Sequence, residues 1–363
     1  MALTGGGTAG HLFPCLAAAE QLRLADPDVD LLFIGSRHRL DAELLPRYGY
    51  AYELIASEGF PYGLSLKAVR SAVSLLQGFL AARRILRRFR PHVVFGAGGH
   101  VAAAVVPAAR SLGIPIVIHA SDSLPDRANR FLGRWATKIT VAWPAAAAHF
   151  PAGRVECTGQ PLREELFART REEAYPLFGL APGRLTLLVT GGSQGARRLN
   201  AAVAGALPKL LERGDVQVLH LTGALDFEQV KAQAEALAAP SDHYQCLPYS
   251  DEMGAAMRAA DLIAMRCGAS SVSEAAAFGL PMILVPYPHA GGHQRLNAVP
   301  LVEAGAGVMF EDSQFNADVL HDTVADLLDH PEKLAAMRQA SANWGRRDAA
   351  ARIAQIVMAA AAI

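Results

Sequence analysis

Glycines between apolar runs and helix-like stretches occur three times, as Gly5-Gly6-Gly7-Thr8-Ala9-Gly10-His11, Gly96-Ala97-Gly98-Gly99-His100 and Gly191-Gly192-Ser193-Gln194-Gly195-Ala196. Glycine lets the backbone approach a ligand and take positive φ. A helix N-terminus after such a turn offers unpaired N–H groups and a partial positive charge to a phosphate. One loop alone says little, because α/β proteins need tight turns anyway; three in the same strand–loop–helix context point to a phosphate-bearing ligand. None is a usual nucleotide motif. The first lacks the GxxxxGK[ST] lysine, which argues against a P-loop kinase. Its spacing departs from GxGxxG, and Gly35-Ser36-Arg37 stands where a dinucleotide fold carries its acidic ribose ligand, which disfavours an oxidoreductase of that kind.

Two histidines follow these loops. His11 sits where a general base toward a sugar hydroxyl could act, and His100 where a phosphate could be met. Farther on, Cys267-Gly268-Ala269-Ser270-Ser271-Val272-Ser273-Glu274 follows a strand and opens a helix. Glu274 has two acceptor oxygens suited to a ribose diol, although Ser271 and Glu274 also have capping-box spacing. The run Val285 to Ala298 puts Gln294 and Asn297, each donor and acceptor, at a strand-end loop where α/β folds bind ligands. Asp26-Pro27-Asp28 has a DxD spacing but falls between the first helix and the second strand, where a solvated turn is expected. No metal site and no cofactor is expected.

The elements that must position these residues alternate. Strand candidates are Leu31–Gly35, His92–Phe95, Pro115–His119 and Lys138–Ala142, then Leu185–Val189, Val216–Leu221, Leu262–Ala264 and Met282–Val285. Amphipathic stretches such as Leu16–Leu24 and Ala201–Leu211 lie between them. Apolar, non-alternating strands separated by helices mean parallel sheets covered on both faces. The pattern restarts after Gly159-Gln160-Pro161-Leu162-Arg163, giving two doubly wound domains, 1–160 and 161–343, with an alanine-rich helix over 344–363 crossing back to the first.

Composition agrees with a globular chain that can bury a sizeable core. Its 34 basic and 34 acidic residues cancel, so any pull toward nucleic acid or lipid must be local. The four cysteines form no CxxC pair, which argues against a zinc site or a disulfide framework and suits a reducing compartment. Met1 leads straight into a strand without a basic-then-apolar leader, so no signal peptide is expected. The longest apolar stretch, Val101 to Ala120, is broken by Pro107, Arg110 and Pro115, so no membrane span is expected.

The ordered set of Gly6-Gly7-Thr8-Ala9-Gly10-His11-Leu12-Phe13-Pro14, Gly98-Gly99, Gly113-Ile114-Pro115, Thr158 to Arg163, Gly191 to Ala196, Gly268-Ala269-Ser270, Pro286 to Ala290, His293-Gln294 and Asn297-Ala298 resembles the MurG family of peptidoglycan N-acetylglucosaminyltransferases, in glycosyltransferase family 28. The resemblance covers nearly the whole chain. It implies a GT-B fold of two Rossmann-like domains with an interdomain cleft. It also implies metal-free, inverting transfer of GlcNAc from UDP-GlcNAc to the C4 hydroxyl of MurNAc in undecaprenyl-pyrophosphoryl-MurNAc-pentapeptide (lipid I). His11 would be the catalytic base or stand near it. Donor binding would fall to Thr8, Gly10, Arg163, Gly191, Ser193, Gln194, Gly195, Ser250, Ala269, Ser270, Glu274 and Gln294. Acceptor binding would fall to Gly98, Gly99, His100, Asp122 and Asn129.

The acceptor half departs from the family pattern. His119-Ala120-Ser121-Asp122 stands where the family shows His-Glu-x-Asn, Ala9 replaces a glycine, His100 stands where a tyrosine is frequent, and Arg295 follows Gln294. Either Asp122 or Asp126 takes over a polar role, or the chain is a paralogue with another acceptor or without turnover. A UDP-GlcNAc 2-epimerase of the same fold would leave the His11 loop and the basic patch unexplained. That patch interleaves Leu75, Leu76, Phe79 and Leu80 with Arg83, Arg84, Arg87, Arg88 and Arg90, a pattern that suits a helix resting on anionic lipid. The expected location is the cytoplasmic face of the cell membrane, peripherally bound.

Overall fold

A computed structural model describes residues 1–37, 39–59, 66–192, 194–237, 243–289 and 292–363. The chain divides into two compact units, Met1–Arg163 with Arg346–Ile363, and Glu164–Gly345.

The first unit is a seven-stranded parallel sheet of β1 (Ala2–Thr4), β2 (Leu32–Ser36), β3 (Ala51–Ile55), β4 (Val94–Gly96), β5 (Ile116–Ala120), β6 (Lys138–Val141) and β7 (Val155–Cys157), in the order β3-β2-β1-β4-β5-β6-β7. Its helices are α1 (Ala9–Ala25), α2 (Arg39–Leu44), α3 (Leu66–Phe89), α4 (Gly99–Arg110) and α5 (Arg127–Leu132). Successive strand residues point to opposite faces, and both faces are apolar. Ala2, Leu32, Val94 and Ile116 pack toward α3, α4 and α5. Their neighbours Leu3, Phe33, Phe95 and Val117 pack toward α1 and the last helix of the chain. The strand order reverses between β1 and β4, so the first two glycine loops leave adjacent strands at the switch point.

The second unit has six parallel strands, β8 (Leu185–Thr190), β9 (Val216–Leu221), β10 (Tyr244–Leu247), β11 (Leu262–Met265), β12 (Met282–Leu284) and β13 (Gly307–Met309), in the order β10-β9-β8-β11-β12-β13. Around it run α6 (Arg171–Leu177), α7 (Arg197–Glu212), α8 (Phe227–Ala236), α9 (Met253–Ala259), α10 (Ala269–Ala277), α11 (His293–Glu303), α12 (Ala317–Asp329) and α13 (Pro331–Trp344). Here the reversal lies between β8 and β11, again beside a glycine loop. The chain then re-enters the first unit, where α14 (Ala349–Ala361) lies on α1 and buries Ile353, Ala354 and Val357. Gly159 (φ +89°) permits that return, since a Cβ there would stand 2.6 Å from Arg346 Cβ.

Three expectations need correction or detail. On α3, Leu75 and Phe79 pack against the sheet's core, so only Leu76 and Leu80 of the four apolar residues reach the surface. They extend a stripe begun by Val69 and Val73 and continued by the exposed Arg84 and Arg87, all at helical spacing. Arg83 is drawn to Ser111, and Arg88 to Glu53. The capping box does not form: α10 begins at Ala269 after Gly268, which puts Ser271 inside the first turn. Asp26 to Asp28 is an exposed turn closed by Asp28 N–H on Asp26 Oδ1 at 3.1 Å. Among the described residues, no helix is long and apolar enough to cross a membrane.

Candidate active site

In the first unit the β1–α1 and β4–α4 loops close around His11. A Cβ at Gly98 (φ +91°) would lie 3.0 Å from both Asn129 Nδ2 and His11 Cδ2. At Gly99 (φ +77°) it would lie 2.7 Å from Gly6 O and 3.2 Å from His11 Nδ1. Only glycine allows the imidazole, Asn129 and two backbones to meet there. Thr8 is the N-cap of α1, yet its side chain caps no N–H; its Oγ1 lies 2.8 Å from His11 Nδ1. His100 covers Gly7, where a Cβ would be 2.2 Å from its Nε2, and its Nδ1 meets Ser57 Oγ at 2.7 Å. At Gly10 an added Cβ would meet, among the described residues, only Thr8 Oγ1, at 3.9 Å.

Electrostatics around His11 oppose one another. Burial lowers its pKa, and the carboxylates of Asp126, Asp122 and Asp41, in that order, raise it. Asp126 also caps α5, accepting the Asn129 N–H at 2.6 Å. Asn129 Oδ1 is buried and, among the described residues, has no hydrogen-bond partner, as suits an acceptor for a ligand. His119 behaves differently. Fully buried, it meets Thr140 Oγ1 through Nδ1 at 3.0 Å and Gln160 Oε1 through Nε2 at 3.1 Å, and burial pushes its pKa down to about 4. It is a neutral strut joining residues 119–122 to the Thr158–Arg163 segment. The Arg163 guanidinium lies 3.9 Å over the Phe13 ring and donates to Tyr48 Oη at 2.7 Å, all within this unit.

In the second unit, Gly192 (φ +82°) and Gly195 (φ +77°) shape the loop before α7. A Cβ at Gly195 would collide with Thr222 O at 2.1 Å, whereas one at Gly192 would meet nothing among the described residues, so the loop is pinned at Gly195. Ser193 lies outside the described residues; Gln194 is exposed. Neither α7 nor α10 has a side-chain cap, which leaves first-turn N–H groups for an anion. Ala269 and Ser270 open α10, with Glu274 half-buried one turn on. Ser250 Oγ accepts the Glu252 N–H at 3.1 Å ahead of α9.

Gln294 and Asn297, on the first two turns of α11, clasp one residue from both sides. Gln294 Oε1 accepts the N–H groups of Cys267 (3.0 Å) and Tyr287 (2.9 Å), and Asn297 Nδ2 donates to Cys267 O at 3.2 Å. The Gln294 acceptor is therefore committed to the backbone. Sequence reasoning did not single out Arg266, which ties the same loops: Nη1 donates to Val285 O and Pro286 O, and Nη2 pairs with Asp312 at 2.6 Å. A charge directly after the apolar strand Leu262–Met265 was the available signal. Nor did it reach Asn200, which links buried His220 to Thr222 O and Asp226 beneath the loop.

Residues 1–141 match the glycosyltransferase family 28 N-terminal domain, and residues 186–353 match its C-terminal domain. A curated UDP-N-acetylglucosamine–N-acetylmuramyl-(pentapeptide) pyrophosphoryl-undecaprenol N-acetylglucosamine transferase from Desulforudis audaxviator is 40% identical over 361 residues, 98% of this chain and 96% of the relative. One of the same name from Nocardioides sp. is 41% identical over 360 residues, with the same coverage. The crystal structure of Acinetobacter baumannii MurG superposes with a TM-score of 0.78 at 27% identity, covering 99% of this chain and 98% of that one. UDP-GlcNAc 2-epimerase from Neisseria meningitidis reaches 0.72 at 13% identity over 99% of each chain, which speaks for the fold alone.

Proposed function

The chain belongs to glycosyltransferase family 28 and has its GT-B fold, and from that membership we infer that it is a hexosyltransferase moving GlcNAc from UDP-GlcNAc onto lipid I to give lipid II. The observation that carries this reading is the 40% identity with a transferase of that activity across 98% of the chain.

On the acceptor side, we assign His11 as the base that takes the proton from the MurNAc C4 hydroxyl as that oxygen attacks the anomeric carbon. Thr8 orients the ring, and Asn129 with Gly98 and Gly99 shapes the place the sugar occupies. The bond to the UDP oxygen breaks in the same displacement, with inversion. The leaving pyrophosphate gathers charge that the Gly191–Gly195 loop and the uncapped start of α7 are built to receive. Glu274 holds the ribose, Gln294 offers Nε2 to the sugar, and the segment at Ser250 borders the base. Asp126 and Asp122, whose carboxylates both act on His11, supply the negative charge that Ala120 does not.

The exposed Val69-Val73-Leu76-Leu80 stripe running into Arg84 and Arg87 suits contact with an anionic lipid surface, from which a polyprenyl-linked acceptor is presented. It supports peripheral attachment at the cytoplasmic face of the membrane. Transfer of radiolabelled GlcNAc from UDP-GlcNAc to a short-chain lipid I analogue tests the reading. Labelled lipid II is expected, and donor binding without product would overturn it.

A further inference from the structure

Asp41 belongs to none of the groups assigned so far. It lies on α2 and is fully buried, and among the described residues its partners are neutral donors. The Gly7 N–H is 2.9 Å from Oδ1 and 3.1 Å from Oδ2, and Ser36 gives Oδ2 its N–H at 2.8 Å and its hydroxyl at 2.7 Å. Burying a carboxylate is costly unless such donors surround it. The glycine loop is moulded to this group: a Cβ at Gly6 would stand 2.2 Å from Asp41 Oδ2, and one at Gly7 would strike His100 from the other side. Gly7 takes φ +83°, and the next residues are Thr8, then His11 one turn into α1. We propose that Asp41 is a positioning residue for the transfer reaction, fixing the Gly6-Gly7 turn and through it the Thr8–His11 pair; this rests on the assignment of His11 above.

Two variants separate positioning from bulk stability. Asp41→Asn is nearly isosteric. Its remaining oxygen stays with Ser36 and keeps the longer Gly7 contact at 3.1 Å. The amide NH2 takes the place of the oxygen at 2.9 Å and sets donor against donor there. Ser36→Ala removes a hydrogen bond from the same carboxylate and leaves the Gly7 contact intact. Asp41→Asn is expected to lower kcat roughly ten- to hundredfold, as for a lost charge-assisted hydrogen bond, with the UDP-GlcNAc Kd unchanged by calorimetry. Ser36→Ala is expected to stay within about threefold of the parent. In a His11→Ala background, Asp41→Asn should cost nothing further, because the two act as one unit. Equal losses in both single variants, or additive losses in the double, would overturn the assignment.

A substrate-free readout separates this from the functional reading. The titratable groups facing His11 are Asp126 and Asp122 ahead of α5 and Asp41 on α2, with His100 beside Gly7. By NMR, Asp41→Asn should move the His11 titration to lower pH and shift the Gly7 and Thr8 amides, while Ser36→Ala leaves them in place; no change overturns the assignment even if the parent makes no lipid II. If Asp41→Asn does not fold, Asp41→Glu carries the comparison, since it keeps the charge but displaces it by one methylene. A fall in its kcat with donor Kd unchanged supports positioning, and parental kcat overturns it.

Discussion

Thr8 Oγ1 and His11 Nδ1 meet at 2.8 Å across the first turn of α1, a turn whose N–H groups the Thr8 side chain would otherwise cap. The hydroxyl orients the imidazole instead and leaves Nε2 facing Gly98. His11→Ala should lower kcat by roughly 10²–10⁴, the usual worth of a general base, with UDP-GlcNAc affinity within about twofold. Thr8→Val, which keeps the shape and removes the hydroxyl, should cost about tenfold. Steady-state kinetics with donor calorimetry checks both; an unchanged kcat in His11→Ala would end its role as base.

The pH dependence has a definite sign. Burial lowers the His11 pKa and three carboxylates partly restore it, so the acid limb of kcat/KM should lie below the ordinary histidine value of about 6.5. Asp122→Asn removes one raising charge and should move that limb to still lower pH. A limb that moves upward would contradict the assignment of His11 or of its surroundings.

Much of the fold was legible because β-strands buried on both faces must be largely apolar: Leu32–Ser36, Val94–Gly96 and Leu185–Thr190 announce themselves. Ala51–Ile55 does not, since its first residues are exposed at the sheet edge and Glu53 interrupts the run. The glycine loops and His11 were legible because local geometry demands those residues. Asp41 and Arg266 were not, because their partners lie as far as 34 and 46 residues away in sequence and only the folded sheet brings them together. On α3 the periodicity was plain, but adjacent residues such as Leu75 and Leu76 differ by about 100° in direction, and only packing tells which faces in.

Glu274 gives a clean separation of binding from stability. Its capping-box partner Ser271 sits inside α10 instead of at the N-cap, so no Ser271–Glu274 capping box closes the helix start. Glu274→Ala should weaken UDP binding roughly ten- to a hundredfold, the range of a hydrogen bond to a charged group, while Tm stays within a few degrees. Calorimetric titration with UDP and a thermal melt decide it; a large loss of Tm with UDP affinity intact would make Glu274 structural.

His119 and His220 are held neutral inside the two sheets, with pKa values pushed down by burial to about 4 and about 3. In the unfolded chain both titrate near 6.5, so from there down to those values the unfolded state binds more protons. Stability should therefore be full above about pH 6.5 and decline steadily as the pH falls toward 4 and then 3. His220→Gln breaks the contacts to Asn200 and Tyr244 and should cost about 1–3 kcal/mol at neutral pH while flattening the second unit's share of the slope. Scanning calorimetry from pH 8 to 4 measures both effects.

The surface of α3 makes the membrane reading testable side chain by side chain. Leu76 and Leu80 are exposed and share one stripe with Val69, Val73, Arg84 and Arg87, whereas Phe79 turns inward against the core. If the stripe meets lipid, replacing Leu76 and Leu80 together by Asp should abolish co-sedimentation with anionic vesicles, leave Tm nearly unchanged, and spare transfer to a soluble acceptor analogue. Arg84→Gln with Arg87→Gln should weaken vesicle binding by about 1 kcal/mol per charge at low salt and by less at high salt, because screening removes the same interaction. Phe79→Ala should do the reverse: truncating a half-buried aromatic that packs on the core costs about 1–3 kcal/mol of stability, and the folded fraction should bind vesicles as the parent does. Vesicle binding that survives both surface pairs of substitutions would remove α3 as the lipid contact and leave the source of attachment elsewhere on the chain.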